Sequence, residues 1–234
     1  MTASLQKLLT WLSPAFPVGA FAWSAGLETA IAERRITDSA ALQNWLGGTL
    51  AHGGLKTDAI LLAQAWKSGA ARTPSPTIGE DGTGDDPLAT LADLADLAIA
   101  LTPARERLME TSITGDSFAI ALKAWPVELR EPLPTPCPYP IAVGAVAAAH
   151  GVPLHETLLA FLTAAVHGQI SVAVRLVPLG QADGLKVMAA LEPAIAAMAE
   201  IASTSSLADI GGIAYATDIA QMQHETLEPR IFRS

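Results

Sequence analysis

Five histidines and one cysteine are the residues most able to do chemistry, and their spacing comes first. His52, His150, His155, His167 and His224 form no His-x3-His pair and no His-Glu-x-x-His helix, so no zinc-type ligand set is written into a single element. Cys137 stands alone, without a histidine beside it, and no Gly-x-Ser-x-Gly elbow occurs. The run Gly48-Thr-Leu-Ala-His-Gly-Gly-Leu-Lys-Thr57 has the glycines and lysine of a phosphate-binding loop. Its lysine does not follow the second glycine and no strand precedes it, which rejects a nucleotide site. A metal site assembled across a symmetry axis stays open. The residues thus favour a binding or scaffold role over an enzyme.

A second class of candidate is charge placed in apolar surroundings. Arg175 closes a run from Val152 to Leu179 in which Leu158, Leu162, Val166, Ile170 and Val174 recur at helical steps. A buried arginine must meet a carboxylate; otherwise it emerges at a surface. The run must be a central helix, because residues such as Leu159, Phe161, Val172 and Leu176 extend its apolar stripe around the other faces. His155, His167, Gln169 and Arg175 interrupt it too often for a membrane span. A stretch that begins at Tyr139 precedes it, and Gly151 reads as the end of that first helix. The pair reads as a buried helical hairpin, short arm then long arm, with Pro140 and Pro153 in the first turns.

The remaining elements must hold this hairpin. The chain has 234 residues, 50% of them apolar and 16% charged, rich in alanine and with little strand-like alternation. The expected fold is all-α, a single helical-bundle domain of about ten helices. Helices are expected over Leu5–Leu12, from near Ser24, after an Asp38 or Ser39 cap, over Asp58–Trp66, from Pro87, and from Thr102-Pro103 to Trp125. On the last of these, Arg105, Glu106, Arg107 and Glu110 read as a solvated, internally paired patch. Further helices cover Leu185–Ala202, with a break or restart at Pro193, and Tyr215–Glu225. Residues 70–86 read as a disordered surface loop. Phe16, Val18, Phe21 and Trp23 make an apolar loop that packs either under the domain's own helices or against a partner. The tail, residues 226–234, is either frayed or ordered by a partner. A net charge of −9 argues against nucleic acid. One cysteine and no basic, cleavable N-terminal segment fit the cytoplasm.

Three stretches in register resemble the urease accessory protein family UreF. They are Ser13-Pro-Ala-Phe-Pro-Val-Gly through Ser24-Ala-Gly-Leu-Glu28, Tyr139-Pro140 through Val174-Arg175-Leu-Val-Pro-Leu-Gly-Gln181, and His224-Glu-Thr226 with Arg230-Ile-Phe-Arg-Ser234. Ala20 stands where the family has a second glycine, and Leu227-Glu-Pro229 where it commonly has Gln-Tyr-Ser. The resemblance implies an all-α homodimer with no catalysis and no cofactor. It implies partners UreD (also called UreH), the GTPase UreG and apo-urease, in an assembly that inserts nickel. It places Glu28, Arg175, Gln181 and His224 on the UreG face. In the tail it makes Ile231 and Phe232 the apolar anchors for UreD, with Arg230 and Arg233 as the charged rim. The other reading is a nickel-binding metallochaperone with His or Cys ligands at a dimer interface.

Overall fold

The computed structural model describes residues 2–70 and 89–234, and all of the regular structure there is helical. Ten α-helices follow in order: α1 (Thr2–Trp11), α2 (Leu27–Ala32), α3 (Ser39–His52), α4 (Gly54–Ala70), α5 (Leu91–Ala100), α6 (Arg105–Ala121), α7 (Tyr139–Ala149), α8 (Leu154–Leu176), α9 (Gln181–Thr204) and α10 (Tyr215–His224). One continuous apolar core runs through them, which makes a single all-α domain. The loop expected over residues 70–86 falls, beyond Ala70, outside the described residues, as does Pro87. The helix expected to open at Pro87 instead has its N-cap at Thr90, whose hydroxyl accepts from the Asp93 N–H while the Asp93 carboxylate accepts from the Thr90 N–H. Asp38 caps α3 by accepting from the Ala41 N–H at 2.8 Å.

The two arms of the expected hairpin pack mainly elsewhere. α7 is buried from Pro140 to Ala147 and lies against α4, where a Cβ on Gly144 would stand 2.3 Å from the Leu62 carbonyl oxygen. Backbones that approach so closely leave no room for a side chain at the contact, so α7 has glycine there and is rich in alanine around it. α8 is long and apolar enough to cross a membrane by length and composition, yet Leu158, Leu162, Val166 and Ile170 are buried by the chain's own helices. Its closest packing is with α9, where Gly184 admits Ile170 and Val174. α9 passes through Pro193 without a break. Pro193 and Ala189, whose carbonyl loses its helical donor, both face solvent, so water replaces the missing bond. Because Leu162 is fully buried, Leu162→Ala is expected to lower stability by about 2–5 kcal/mol in urea denaturation. A loss under about 1 kcal/mol would remove α8 from the core.

Candidate partner-binding site

The apolar loop after α1 is folded under the domain. Phe16, Val18 and Trp23 are buried, and only Phe21 is largely exposed. The loop turns through Gly19, whose φ of 74° suits glycine, while Ala20 opens a short 3-10 turn, Ala20–Ala22, outside the left-handed region. The substitution of alanine for the family's second glycine is therefore accommodated without strain. The loop delivers Ser24 and Glu28 to the start of α2, where both are buried.

A buried polar network forms around Glu28. His224, at the end of α10 and fully buried, has Nε2 2.9 Å from Glu28 Oε2 and Nδ1 2.7 Å from Glu106 Oε2. Both ring nitrogens thus face carboxylate oxygens, and an imidazolium satisfies both at once by donating from each. Arg230 Nη1 donates to Glu106 Oε1 at 2.6 Å. Glu28 also accepts from the backbone N–H of Ile231 at 2.7 Å and of Phe232 at 2.9 Å. Farther along, the Arg233 N–H donates to the Ala22 carbonyl at 2.7 Å, and the Ser24 N–H donates to the Ser234 main-chain oxygen at 2.7 Å. The Ser24 hydroxyl donates to that same oxygen.

This geometry revises the expected role of the tail. Its end is held by its own chain, because Glu28 satisfies backbone donors that would otherwise face the interior unpaired. Phe232 is buried as part of the core, while Ile231, the other expected anchor, is 77% exposed. Arg175 has emerged at the surface, as one of its two alternatives required. It makes no ion pair among the described residues, and its guanidinium stacks over Phe232 at 4.7 Å and Phe21 at 5.8 Å. Arg233 lies over Trp23 at 5.9 Å. Glu28, His224, Arg175 and the tail are thus one assembly. Gln181 opens α9 beyond the turn that ends α8 and is exposed, outside this network.

The charged patch expected on the surface of α6 divides differently. Glu106 is buried in the network just described. Arg107 sits between Asp58 of α4, with Nη2 2.5 Å from Oδ2, and Glu110, with Nη1 3.1 Å from Oε2. These three side chains line a cavity of about 350 Å³ between α4, α6, α8, α10 and the apolar loop. Burial pushes the Asp58 and Glu110 carboxyls above their usual 3.8 and 4.5, and attraction to Arg107 only partly opposes it. For Arg107, burial pulls downward, but the two carboxylates outweigh it and the guanidinium is held more firmly protonated.

These shifts fix the sign of the pH effect. With its pKa raised by folding, Glu110 binds more protons in the folded than in the unfolded state. Its contribution to stability is greatest below the ordinary carboxylate range and is lost as pH rises through the folded value. Glu110→Gln removes this slope. Between pH 7 and roughly pH 5, acidification is expected to stabilise the native sequence more than the variant in urea titrations. Parallel curves would mean that Glu110 ionises as a solvent-exposed group does.

Other candidate groups do not converge. Among the described residues no three His, Cys, Asp or Glu side chains gather into a metal-holding cluster. Cys137 is buried and its thiol is pushed up to about 12, first by burial and then by Asp116.

Comparison with known proteins bears on the three-stretch pattern that surrounds Glu28 and the tail. The family model described as UreF matches residues 36–192. A protein of Agrobacterium fabrum (strain C58), named urease accessory protein UreF, is 45% identical over 232 residues, covering 99% of this chain and 97% of that protein. A UreF of Rhodopseudomonas palustris (strain HaA2) is 45% identical over 99% of this chain and 94% of its own length. "Urease accessory protein UreF 1" of Brucella suis biovar 1 is 42% identical over 100% and 95%. The chain belongs to the UreF family.

The matched segment of the UreF model includes Glu106 but not Glu28, His224 or Arg230, whereas the matches to the relatives extend across the whole network. The sequence pattern points to Glu28 and His224 in this UreF chain but misses Glu106, the carboxylate that joins them to Arg230. It also misses the cavity triad. A signal for the triad is present: Arg107, Glu110, Thr111, Thr114 and Phe118 recur at helical steps, so two charges share the stripe of a fully buried phenylalanine.

Proposed function

We propose that this chain is a non-enzymatic urease maturation factor that, together with UreD, recruits the GTPase UreG and regulates it for nickel insertion into apo-urease. Family membership supports the urease role, and the Glu28–His224–Glu106–Arg230 network carries the partner-binding part. The network fixes the tail beside Arg175, so that Arg230, Ile231, Arg233, Arg175 and Phe21 are presented together as exposed cationic and apolar groups. Clustered arginine and aromatic side chains are the usual centres of protein interfaces. In this reading the buried Glu28 and His224 act through the tail they hold, and Arg175 touches the partner. The working form is a homodimer in the cytoplasm.

The deciding experiment pairs two measurements on Arg175→Ala: thermal melting of the free protein, and capture of UreG by its complex with UreD from the same source. The melting temperature is expected to change little, since Arg175 is exposed and its hydrogen bond stays within its own helix, to the Ser171 carbonyl. UreG capture is expected to weaken by about 2–5 kcal/mol, as for a desolvated interfacial charge. A large fall in melting temperature with a proportionate loss of capture would make Arg175 structural instead.

A further inference from the structure

The cavity beside Arg107 has a lining that its own chain does not satisfy. Two partly buried carboxylates, Asp58 and Glu110, face one partly buried guanidinium, which leaves one negative charge in surplus. Glu110 Oε2 lies close enough to Arg107 to pair electrostatically, yet accepts no hydrogen bond. Gln221 and Thr114 also line the cavity, are 5% and 4% exposed, and leave Gln221 Oε1 and the Thr114 hydroxyl oxygen without partners. Gln169 Oε1 on α8 is a further unpartnered acceptor in the same lining. Buried acceptors of this number are costly unless a donor meets them.

We infer that this cavity is a binding site for an organic cation, a guanidinium or primary ammonium on a short apolar stem. The positive head meets the surplus carboxylate and donates to the free oxygens of Gln221 and Thr114. The stem lies on the aromatic wall of Tyr139 and Phe161, whose rings stand 5.6 Å apart. A volume of about 350 Å³ falls within the range of small-molecule sites. A metal ion is a poorer fit: among the described residues no group of three His, Cys, Asp or Glu side chains is placed to hold one, and most of the wall is apolar. Arg175 and His167, the other basic groups on the lining, are exposed, where water and salt screen them. The raised carboxyls fit this assignment, because a bound cation removes the reason for holding a proton. Affinity therefore rises with pH through the range in which Glu110 ionises. The head can belong to a free metabolite or to an arginine or lysine side chain of a protein partner.

The test uses the isolated full-length chain and butylguanidinium as the probe, with butylurea, its uncharged isostere, as the control. Calorimetry is expected to show saturable binding of butylguanidinium, stronger at pH 8 than at pH 5, and none of butylurea. Glu110→Gln and Thr114→Val are each expected to weaken it at least about tenfold, with circular dichroism and melting verifying that both variants fold. No saturable binding, equal binding of the neutral analogue, or affinity unchanged in both folded variants would overturn the site. A second arm separates the two sources. If saturating butylguanidinium blocks capture of UreD or UreG, the natural occupant is a partner's basic side chain; if capture is unaffected, it is a free cation. The first arm needs no partner, so its failure is distinct from failure of the assembly role.

Discussion

His224→Ala is expected to destabilise the protein by about 3–5 kcal/mol, because it removes one member of a buried charge network and leaves the others unpaired. His224 is fully buried, and its two nitrogens lie 2.9 Å and 2.7 Å from separate carboxylates. Without the ring, Glu28 and Glu106 face each other across the gap with no donor between them. Glu106 keeps Arg230, which is 43% exposed and thus partly screened. Glu28 keeps only the two backbone donors of the tail, at Ile231 and Phe232. The effect therefore spreads to the tail, and residues 226–234 of the variant should become susceptible to proteolysis while α8 stays protected. Urea denaturation and limited proteolysis measure the two consequences. His167→Ala, on the exposed side of α8, is the control and should stay within about 0.5 kcal/mol of the native chain. A loss at His224 no larger than at His167 would mean that the network does not hold the fold.

Much of the architecture is readable from spacing alone, and the exceptions have physical causes. The stripe of Leu158, Leu162, Val166 and Ile170 defines α8 because a buried helix needs apolar residues at those steps. Periodicity does not say which neighbour covers them, so the sequence suggests an α7–α8 hairpin where α7 chiefly packs on α4. That choice is made by glycines, Gly144 above all, whose meaning lies in what approaches them. Pro193 suggests an interruption of α9 because sequence shows the missing donor but not that Ala189 faces water. Glu106 reads as a surface residue because a carboxylate in a run with Arg105 and Arg107 looks solvated from composition. Its burial depends on His224 and Arg230, which lie more than a hundred residues later in the chain. The motifs single out Glu28 and His224 but not the reason they occur together. That reason is the tail, whose backbone donors Glu28 accepts.

Gly115→Ala is expected to be among the most damaging single-methyl additions in the chain. The usual expectation runs the other way. Gly115 is inside α6, and alanine in a helix interior is favoured over glycine by about 1 kcal/mol. Here the added Cβ would stand 1.9 Å from the Cys137 carbonyl oxygen and 2.8 Å from the Tyr139 nitrogen. Both are backbone atoms of the segment that enters α7, so no side-chain rotation relieves the clash. Nor is that segment free to shift: the Cys137 N–H donates to Asp116 at 2.9 Å and the Tyr139 N–H to Thr111 at 3.2 Å, which ties it to α6 on both sides of the contact. α6 and α7 must separate, opening gaps around Phe118, which is fully buried. Overpacking of a well-filled core costs about 1–3 kcal/mol even where side chains can yield, so the net loss here should reach at least about 3 kcal/mol. Gly168, on α8, supplies the contrast, because a methyl group added there would meet no atom within 4 Å. Gly168→Ala has only the propensity effect and should raise stability by about 0.5–1 kcal/mol. Urea denaturation of both variants checks the pair. Equal and small effects at the two glycines would show that α6 does not approach the α7 entry segment as closely as the structure has it.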